Sequence, residues 1–261
     1  MVATGQVPRK FSPSLVHSQP AKLKCACMRY LLLPLFVFTA AAHAGLAEGL
    51  AASRNGDYEI AFQELEPAAK RGNAEAQYHL GVMYDAGQGV AQDAGKAFRW
   101  YLNAAELGHK QAQYNAAVMY NEGRGVPLNP ALAVQWFGKA AQQGLADAQF
   151  SLGVLYASGA AVKQDYVQAA QWYRKAAQQG DADAQYNLAL LYGTGKGVVP
   201  DLVQAWAWFD AAFTRAGKDN ARKNRDITAQ RMTPAQLEQA KQVAREYVGK
   251  YVTPFGKDKV P

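Results

Sequence analysis

Apolar residues recur along the chain with the spacing of an amphipathic helix. Residues at i, i+3, i+4 and i+7 share one helix face. One such set is Ala97, Trp100, Tyr101 and Ala104, and it returns every 36 residues: Ala133, Trp136, Phe137 and Ala140, then Ala169, Trp172, Tyr173 and Ala176, then Ala205, Trp208, Phe209 and Ala212. An Asp or Asn that can cap a helix precedes each set, at Asp93, Asn129, Asp165 and Asp201. The pattern predicts four equivalent helices in one register.

A further helix is predicted ahead of each of these four. It contains the Ala-Gln-Tyr/Phe end of a recurring pattern, Gly-x-x-x-Ala-Gln-Tyr/Phe. This pattern opens at Gly72, Gly108, Gly144 and Gly180. In the first copy the helix runs from about Ala74 to Asp85, with Leu80 on its apolar side. A glycine then closes each last turn, at Gly87, Gly123, Gly159 and Gly195.

The two helices form one helix–turn–helix unit, found at residues 72–107, 108–143, 144–179 and 180–215. A fixed period of this length is typical of an array in which each unit buries its apolar face against its neighbours. We therefore predict an all-α solenoid. The third unit has Ala161 where the others have a second glycine in the turn, so we expect its turn to be strained or differently built.

Both ends of the array are predicted to be capped by helices. Residues 45–71 contain the second-helix register once more, 36 residues early, and are predicted to form an N-terminal capping pair. Residues 216–261 are predicted to form a basic C-terminal helical cap and tail, with a helix that opens at Thr233-Pro234.

Specific motifs within the units resemble a known family. Ala-Gln-Tyr, Leu-Gly and Tyr-x-x-Gly-x-Gly-Val are followed by Asp-Tyr and Trp-Tyr-x-x-Ala-Ala, for example at Asp165-Tyr166 and Trp172-Tyr173. The chain thus resembles the Sel-one-like repeat family, a relative of the tetratricopeptide repeats. The resemblance implies a right-handed α-solenoid that binds other proteins.

The segment before the array has the features of a secretory signal peptide. Residues 28–44 contain a basic start, an apolar run from Leu31 to Phe38 and an Ala-x-Ala end at Ala44. The apolar run is much shorter than the ~20 residues of a membrane-spanning helix, so we expect cleavage after Ala44 and a periplasmic or secreted protein. Residues 1–27 are either a long basic extension of this signal or, as we favour, an upstream stretch before a true start at Met28.

Removal of residues 1–44 changes the cysteine content and the charge. Cys25 and Cys27 are lost, so no disulfide, thiolate nucleophile or cysteine metal site is expected. The net charge falls from +7 to +2. Residues 45–214 hold 12 basic and 16 acidic side chains, whereas residues 215–261 hold 11 and 5. A basic stripe along the array is absent from this sequence, and we expect no nucleic-acid binding.

We predict neither a catalytic centre, a metal site nor a cofactor. The chain after residue 44 has only two histidines, and Glu75 with His79 offers too few ligands for zinc. A glycine-rich stretch at residues 193–197 lacks the spacing of a phosphate-binding loop. Some cysteine-rich relatives in the family are linked to β-lactam hydrolysis. A hydrolase of the β-lactam or peptidoglycan type is therefore a distant alternative, because this chain lacks their paired cysteines.

The units differ from one another at two polar positions of the first helix. These positions hold Glu75 and His79, Gln111 and Asn115, Asp147 and Ser151, and Asp183 and Asn187. We interpret them as a partner-binding ladder on the concave face of the solenoid. The alternative is a solvated helix face with no binding role. The predicted partner is a protein or peptide, and the predicted state is a monomer.

The basic tail supports a different hypothesis, that of an envelope-attached structural protein. It contains Arg215, Lys218, Arg222, Lys223, Arg225 and Arg231. These cations could contact an anionic envelope, or they could pack against the acidic array of the same molecule.

Overall fold

The computed structural model describes residues 45–255, and all regular secondary structure in this range is helical. Helix α1 covers residues 45–55. It is followed by α2 (Tyr58–Lys70), α3 (Ala74–Ala86), α4 (Ala94–Glu106), α5 (Lys110–Glu122), α6 (Pro130–Gln142), α7 (Ala146–Ser158), α8 (Tyr166–Gln178), α9 (Ala182–Thr194), α10 (Leu202–Ala216), α11 (Asp219–Ala229), α12 (Pro234–Tyr251) and a 3-10 turn at Thr253–Phe255. None of these helices is both long and apolar enough to cross a membrane. The predicted signal peptide and residues 1–27 lie outside the described range.

The helices pack in consecutive pairs, and the pairs pack on one another. The first helices of the four units (α3, α5, α7 and α9) each pack on the second helix of the same unit (α4, α6, α8 and α10). Each second helix also packs on the first helix that follows it. The main contacts of every unit are therefore with its sequence neighbours, which is the arrangement of an α-solenoid. The predicted all-α solenoid is confirmed.

Local side chains begin and end these helices as the sequence predicts. The Asp or Asn before each second helix accepts hydrogen bonds from backbone N–H groups of the first turn, at Asp93, Asn129, Asp165 and Asp201. Each first helix ends at a glycine with φ between 68° and 74°, at Gly87, Gly123, Gly159 and Gly195. Helix α12 begins with a capping box between Thr233 and Gln236.

The second glycine of each turn lies against the preceding unit. A Cβ on Gly125 would come within 2.3 Å of the carbonyl oxygen of Ala94, and Gly89 and Gly197 show the same close approach. The third unit has Ala161 at this position. There the N–H of Ala160 donates to the Ser158 hydroxyl, whereas the equivalent N–H of the other units donates to a carbonyl five residues earlier. The third turn is therefore built differently, which is one of the two outcomes expected from its sequence.

Within each unit, a small residue of the first helix packs against an aromatic ring of the second helix, and the two residues change together from one unit to the next. In the first unit the ring of Tyr101 lies over Gly81, and a Cβ on that glycine would be 2.5 Å from a ring carbon. Gly153 and Tyr173 form the same pair in the third unit. The second and fourth units have alanine with phenylalanine instead, as Ala117 with Phe137 and Ala189 with Phe209. The position facing the ring is thus part of the packing between the two helices of a unit.

The C-terminal helices close the array. Helix α11 packs on α10 in the way that a further first helix would, but α12 turns back and packs on α10 as well. The ring of Trp208 stacks on Tyr247 with a centroid distance of 4.2 Å and on Tyr251 with 5.6 Å. Val252 is buried in the same cluster. The end of the last repeat is therefore covered by α12.

Candidate protein-binding face

The residues predicted to contact a partner lie in two rows on the first helices. One row is Glu75, Gln111, Asp147 and Asp183, and the other, four residues later, is His79, Asn115, Ser151 and Asn187. The buried residues of a first helix lie on its other side, as Ala148, Gln149 and Leu152 do in α7. Glu75, Asp147 and Asp183 are exposed, and the other five are partly buried. We call the side of α3, α5, α7 and α9 that carries these rows the first-helix face.

Glu75 links the first two repeats. Its carboxylate oxygens lie 3.3 Å from Nε2 of His79 and 3.1 Å from Nε2 of His109. Nδ1 of His109 accepts a hydrogen bond from the backbone N–H of Ala112, so this side chain caps α5. The ring proton of His109 is therefore on Nε2, which donates to Glu75. The ring of Tyr78 stacks on the His109 imidazole with a centroid distance of 4.5 Å.

Burial sets the protonation of this cluster. It lowers the pKa of His79, and the opposing effect of the Glu75 carboxylate is smaller. Burial, with a further contribution from Glu75, raises the pKa of Tyr78. Within residues 45–255, no group of three or more His, Cys, Asp or Glu side chains is arranged to hold a metal ion. At neutral pH the cluster is a hydrogen-bonded link between repeats in which His79 is uncharged.

The second unit contacts the preceding repeat through the side chains of Asn115 and Arg124. Asn115 lies beside the hydroxyl of Tyr101, which donates to Asp85 over 3.5 Å and whose pKa is raised, mainly by burial. Arg124 pairs with Asp85 of the preceding repeat and with Glu122, which is 3.3 Å away. The acidic side chains at this end of the array are therefore largely matched by donors of the same molecule.

The two later repeats show local hydrogen bonds in the second row. The hydroxyl of Ser151 donates to the backbone carbonyl of Asp147 over 2.8 Å, and the amide of Asn187 donates to that of Asp183 over 2.9 Å. Nζ of Lys218 lies 2.5 Å from the Asp183 carboxylate. The side chains of Ser151 and Asn187 are thus held along their own helices.

Negative charge is concentrated next to these residues. The carboxylate of Asp147 has no ion pair and no hydrogen bond to any part of the chain that the structure describes. Asp181 caps α9 through the N–H of Ala184. Burial nevertheless raises the pKa of Asp181, and the nearby carboxylates of Asp183 and Asp147 add to this effect. Lys218, which pairs with Asp183, already places one cation beside this group, whereas Asp147 has no pairing cation within the described residues.

His109 is a neighbour of the predicted residues that the sequence reasoning did not find, whereas Lys218 was expected, without a named partner, as a cation that could pack against the acidic array. They lie beside Glu75 and Asp183, which are 34 and 35 residues earlier in the chain. Both precede the next helix of the first type, His109 as the cap of α5 and Lys218 before α11. The signal in the sequence was this shared position, since the residue before one first helix lies beside the first-row residue of the preceding unit.

Several cations of the basic tail pack against the same molecule. Nε of Arg215 donates to the carbonyl of Gly180 over 3.0 Å, and Lys218 pairs with Asp183. The guanidinium of Arg225 lies 2.8 Å from Asp210 and also pairs with Asp226. Arg222 pairs locally with Asp219. Lys223 and Arg231 are exposed.

The paired helices, their 36-residue register and the uncovered polar rows define a helical-repeat protein of the solenoid class. The Sel1 repeat model matches residues 74–109, 110–145, 146–181 and 182–215. The chain belongs to the Sel1 repeat family, which confirms the resemblance found in the sequence. Repeats of this family typically serve as scaffolds for protein–protein interaction, and such scaffolds are generally non-enzymatic.

Solved structures support this membership. The chain is 31% identical to a Sel1 repeat protein from Oxalobacter formigenes, with 78% of this chain and 85% of that one covered and a TM-score of 0.66. It is 33% identical to c5321, a protective antigen of uropathogenic Escherichia coli strains that displays the same repeat fold. That alignment covers 83% of this chain but only 55% of c5321, with a TM-score of 0.56. No curated protein matches the chain.

Proposed function

We propose that this protein is an exported, monomeric scaffold that recruits or positions another protein in the bacterial cell envelope. Sel1 repeat proteins bind protein partners. The observation that carries the proposal is the position of the two variable rows, which lie on the side of the four first helices opposite their buried residues. A packed array holds these polar groups at fixed intervals, so little conformational entropy is lost when a partner binds.

The sequence before the array supports export. Residues 28–44 have the charge pattern, apolar length and cleavage site of a signal peptide. The exported protein should begin at Gly45, and N-terminal sequencing that finds an upstream start would contradict this part of the proposal.

The binding part is tested by capture from envelope extracts with the purified chain, followed by mass spectrometry. The triple variant Asn115→Ala, Asp147→Ala and Asn187→Ala should lose the captured partner and keep its helical circular dichroism. The matched control removes three exposed side chains of the second helices, by Arg99→Ala, Gln135→Ala and Gln171→Ala. If the first variant still captures the partner, or if both variants lose it equally, the first-helix face is not the binding surface.

Attachment through the basic tail has less support from the contacts. Lys218 and Arg225 already pair with carboxylates of the same molecule, and Arg215 contacts the carbonyl of Gly180. Exposed ion pairs contribute little energy, so these contacts alone do not prevent a second use of the cations. Charge reversal at the exposed Lys223 and Arg231 should leave the protein's partition between soluble and membrane fractions unchanged, and a shift into the soluble fraction would favour attachment.

A further inference from the structure

An aliphatic row runs along the first-helix face beside the polar rows. Each first helix carries it seven residues after the first-row residue, at Val82, Val118, Val154 and Leu190. Seven residues are two helical turns, so these side chains lie on the same side of the helix as the polar rows. Val154 is 39% exposed, and the other three are partly buried.

The row continues onto α11. The buried residues of α11 are Ala221 and Thr228, which are seven residues apart and correspond to Ala184 and Leu191 of α9. Ile227 precedes Thr228 as Leu190 precedes Leu191, and it is 55% exposed. The four first helices and α11 thus each place an aliphatic residue at one position.

Packing within the molecule does not account for the whole row. Water would favour a polar side chain at an exposed site such as Val154 or Ile227, yet every copy is aliphatic. Val82 and Val118 pack in part against the core, as does Leu190, so Val154 and Ile227 are the exposed members of the row. Single exposed apolar residues are ordinary, but exposed apolar residues aligned beside polar rows are typical of an interaction site. The row therefore indicates a contact surface for apolar side chains.

The carboxylates beside the aliphatic row indicate which kind of partner would bind there. Glu75 is held by contacts with the His79 and His109 rings, and Asp85 and Glu122 pair with the Arg124 cation. Asp147 has no such partner within the described residues, and it lies close to the Asp181 carboxylate. Asp147 and Val154 are on the same side of α7, about 10 Å apart along the helix. An apolar contact with uncompensated negative charge beside it favours a partner that is both aliphatic and cationic.

We propose that the first-helix face binds an extended protein segment in which a lysine or arginine lies three residues from an aliphatic residue. The cation contacts Asp147 and Asp181, and the aliphatic side chain packs on Val154 and its neighbours in the row. In a polyproline-II conformation, residues three apart lie on the same side of the segment and about 9 Å apart, which matches the separation along α7. This assignment rests on the proposed scaffold function and specifies the chemistry of its partner.

The test uses the full chain and a synthetic peptide array. Its probes carry Lys, Glu or Ser at one position and Val or Ser three positions later, with the remaining positions randomised. We expect the Lys and Val probes to bind best, with about fivefold weaker binding when Glu replaces Lys, the upper range for an exposed ion pair. Asp147→Asn should remove the preference for Lys over Glu and leave the preference for Val unchanged.

Substitutions in the aliphatic row provide the second part of the peptide-binding test. Val154→Asp should weaken binding of the Lys and Val probes about tenfold, because burial of an aliphatic side chain on the row is lost. Ile227→Asp, on α11, lies beyond the reach of one such segment and should leave this binding nearly unchanged. The matched control is Val199→Asp, which changes a more exposed valine, at 82%, in the turn before α10. Equal effects at Val154 and Val199, equal binding of the Lys and Glu probes, or no binding by any probe would each overturn the proposal.

The two proposals fail in different ways. If envelope capture succeeds and depends on Asn115, Asp147 and Asn187 while the peptide preferences are absent, the scaffold function stands and the partner class is wrong. If the triple variant captures as well as the unchanged chain, the first-helix face is not the site and both proposals fail.

Discussion

At the scale of single residues, the recurrent glutamines join one repeat to the next. Gln77, Gln113, Gln149 and Gln185 are buried, and each side-chain amide donates to a backbone carbonyl eight residues earlier, over 3.0–3.1 Å. Those carbonyls belong to the last turn of the preceding second helix, where intrahelical donors are missing. Each glutamine thus donates a hydrogen bond to a carbonyl at the end of another helix.

Two of these glutamines have different oxygen environments. The side-chain oxygen of Gln113 accepts a hydrogen bond from Gln143 over 2.8 Å. The side-chain oxygen of Gln77 is buried without a partner in the described part of the chain, because Leu107 occupies the position of Gln143. The same substitution should therefore have unequal effects at the two sites.

We predict that Gln113→Met lowers the free energy of unfolding by about 2 kcal/mol, at about 1 kcal/mol for each hydrogen bond lost. Gln77→Met should cost less than about 1 kcal/mol, since it removes one bond and also removes an unsatisfied oxygen. Methionine is similar in length and flexible enough to fill either site. Urea unfolding followed by circular dichroism measures both, and a larger loss for Gln77→Met would contradict the assignment.

At the scale of elements, the turns between helices use glycine for two separate reasons. Gly144, between α6 and α7, has a φ of 84°, and a Cβ added there would have no neighbouring atom within 4 Å. Gly125, between α5 and α6, has a φ of 70°, and a Cβ there would also meet the carbonyl of Ala94. Gly144 therefore serves the backbone conformation alone, whereas Gly125 also permits two units to approach.

We predict that Gly144→Ala costs about 1 kcal/mol of stability, the strain of a left-handed conformation with a Cβ. Gly125→Ala should cost about 2–4 kcal/mol, because the neighbouring helix must also move. Comparing the midpoints of urea unfolding for the two variants checks this difference. Equal midpoints would show that the close approach to Ala94 has no energetic importance.

At the scale of the whole molecule, stability depends on neighbours along the array. Helix α12 covers Trp208 and packs Ala240 and Ala244 against the last repeat. Residues far from α12, such as those of α3 and α4, pack on their own sequence neighbours. A solenoid of this kind loses stability first where a neighbour is removed.

We predict that truncation after Arg231 destabilises α9 and α10 and leaves α3–α5 nearly unchanged. Loss of α12 would expose the rings of Trp206 and Trp208 to water. Hydrogen exchange read by mass spectrometry should show faster exchange in residues 182–216 and the original protection in residues 74–122. Uniform loss of protection across the array would mean that the repeats unfold as a single cooperative unit.

Much of this architecture could be read from the chain, and the features that could not be read depend on contacts between units or on solvent exposure. Caps such as Asp93 and helix-ending glycines such as Gly87 act within a few residues, so their roles follow from sequence position. The Glu75–His109 contact and the identity of Asp183 as the partner of Lys218 were missed because these residues are more than 30 positions apart. The aliphatic row was missed because valine in a repeat reads as core, and only solvent exposure separates Val154 from a buried residue.

The amino-acid sequence by itself determined the repeat period, the helix boundaries and the residues that vary between units, since these depend on local backbone preferences and on apolar spacing. Tertiary structure alone decided that α12 folds back onto α10, that Glu75 bridges two histidines, and that Asp147 lies unpaired beside the acidic cap of α9. These features arise from packing between units, where the distance in space is set by helix stacking and not by separation along the chain.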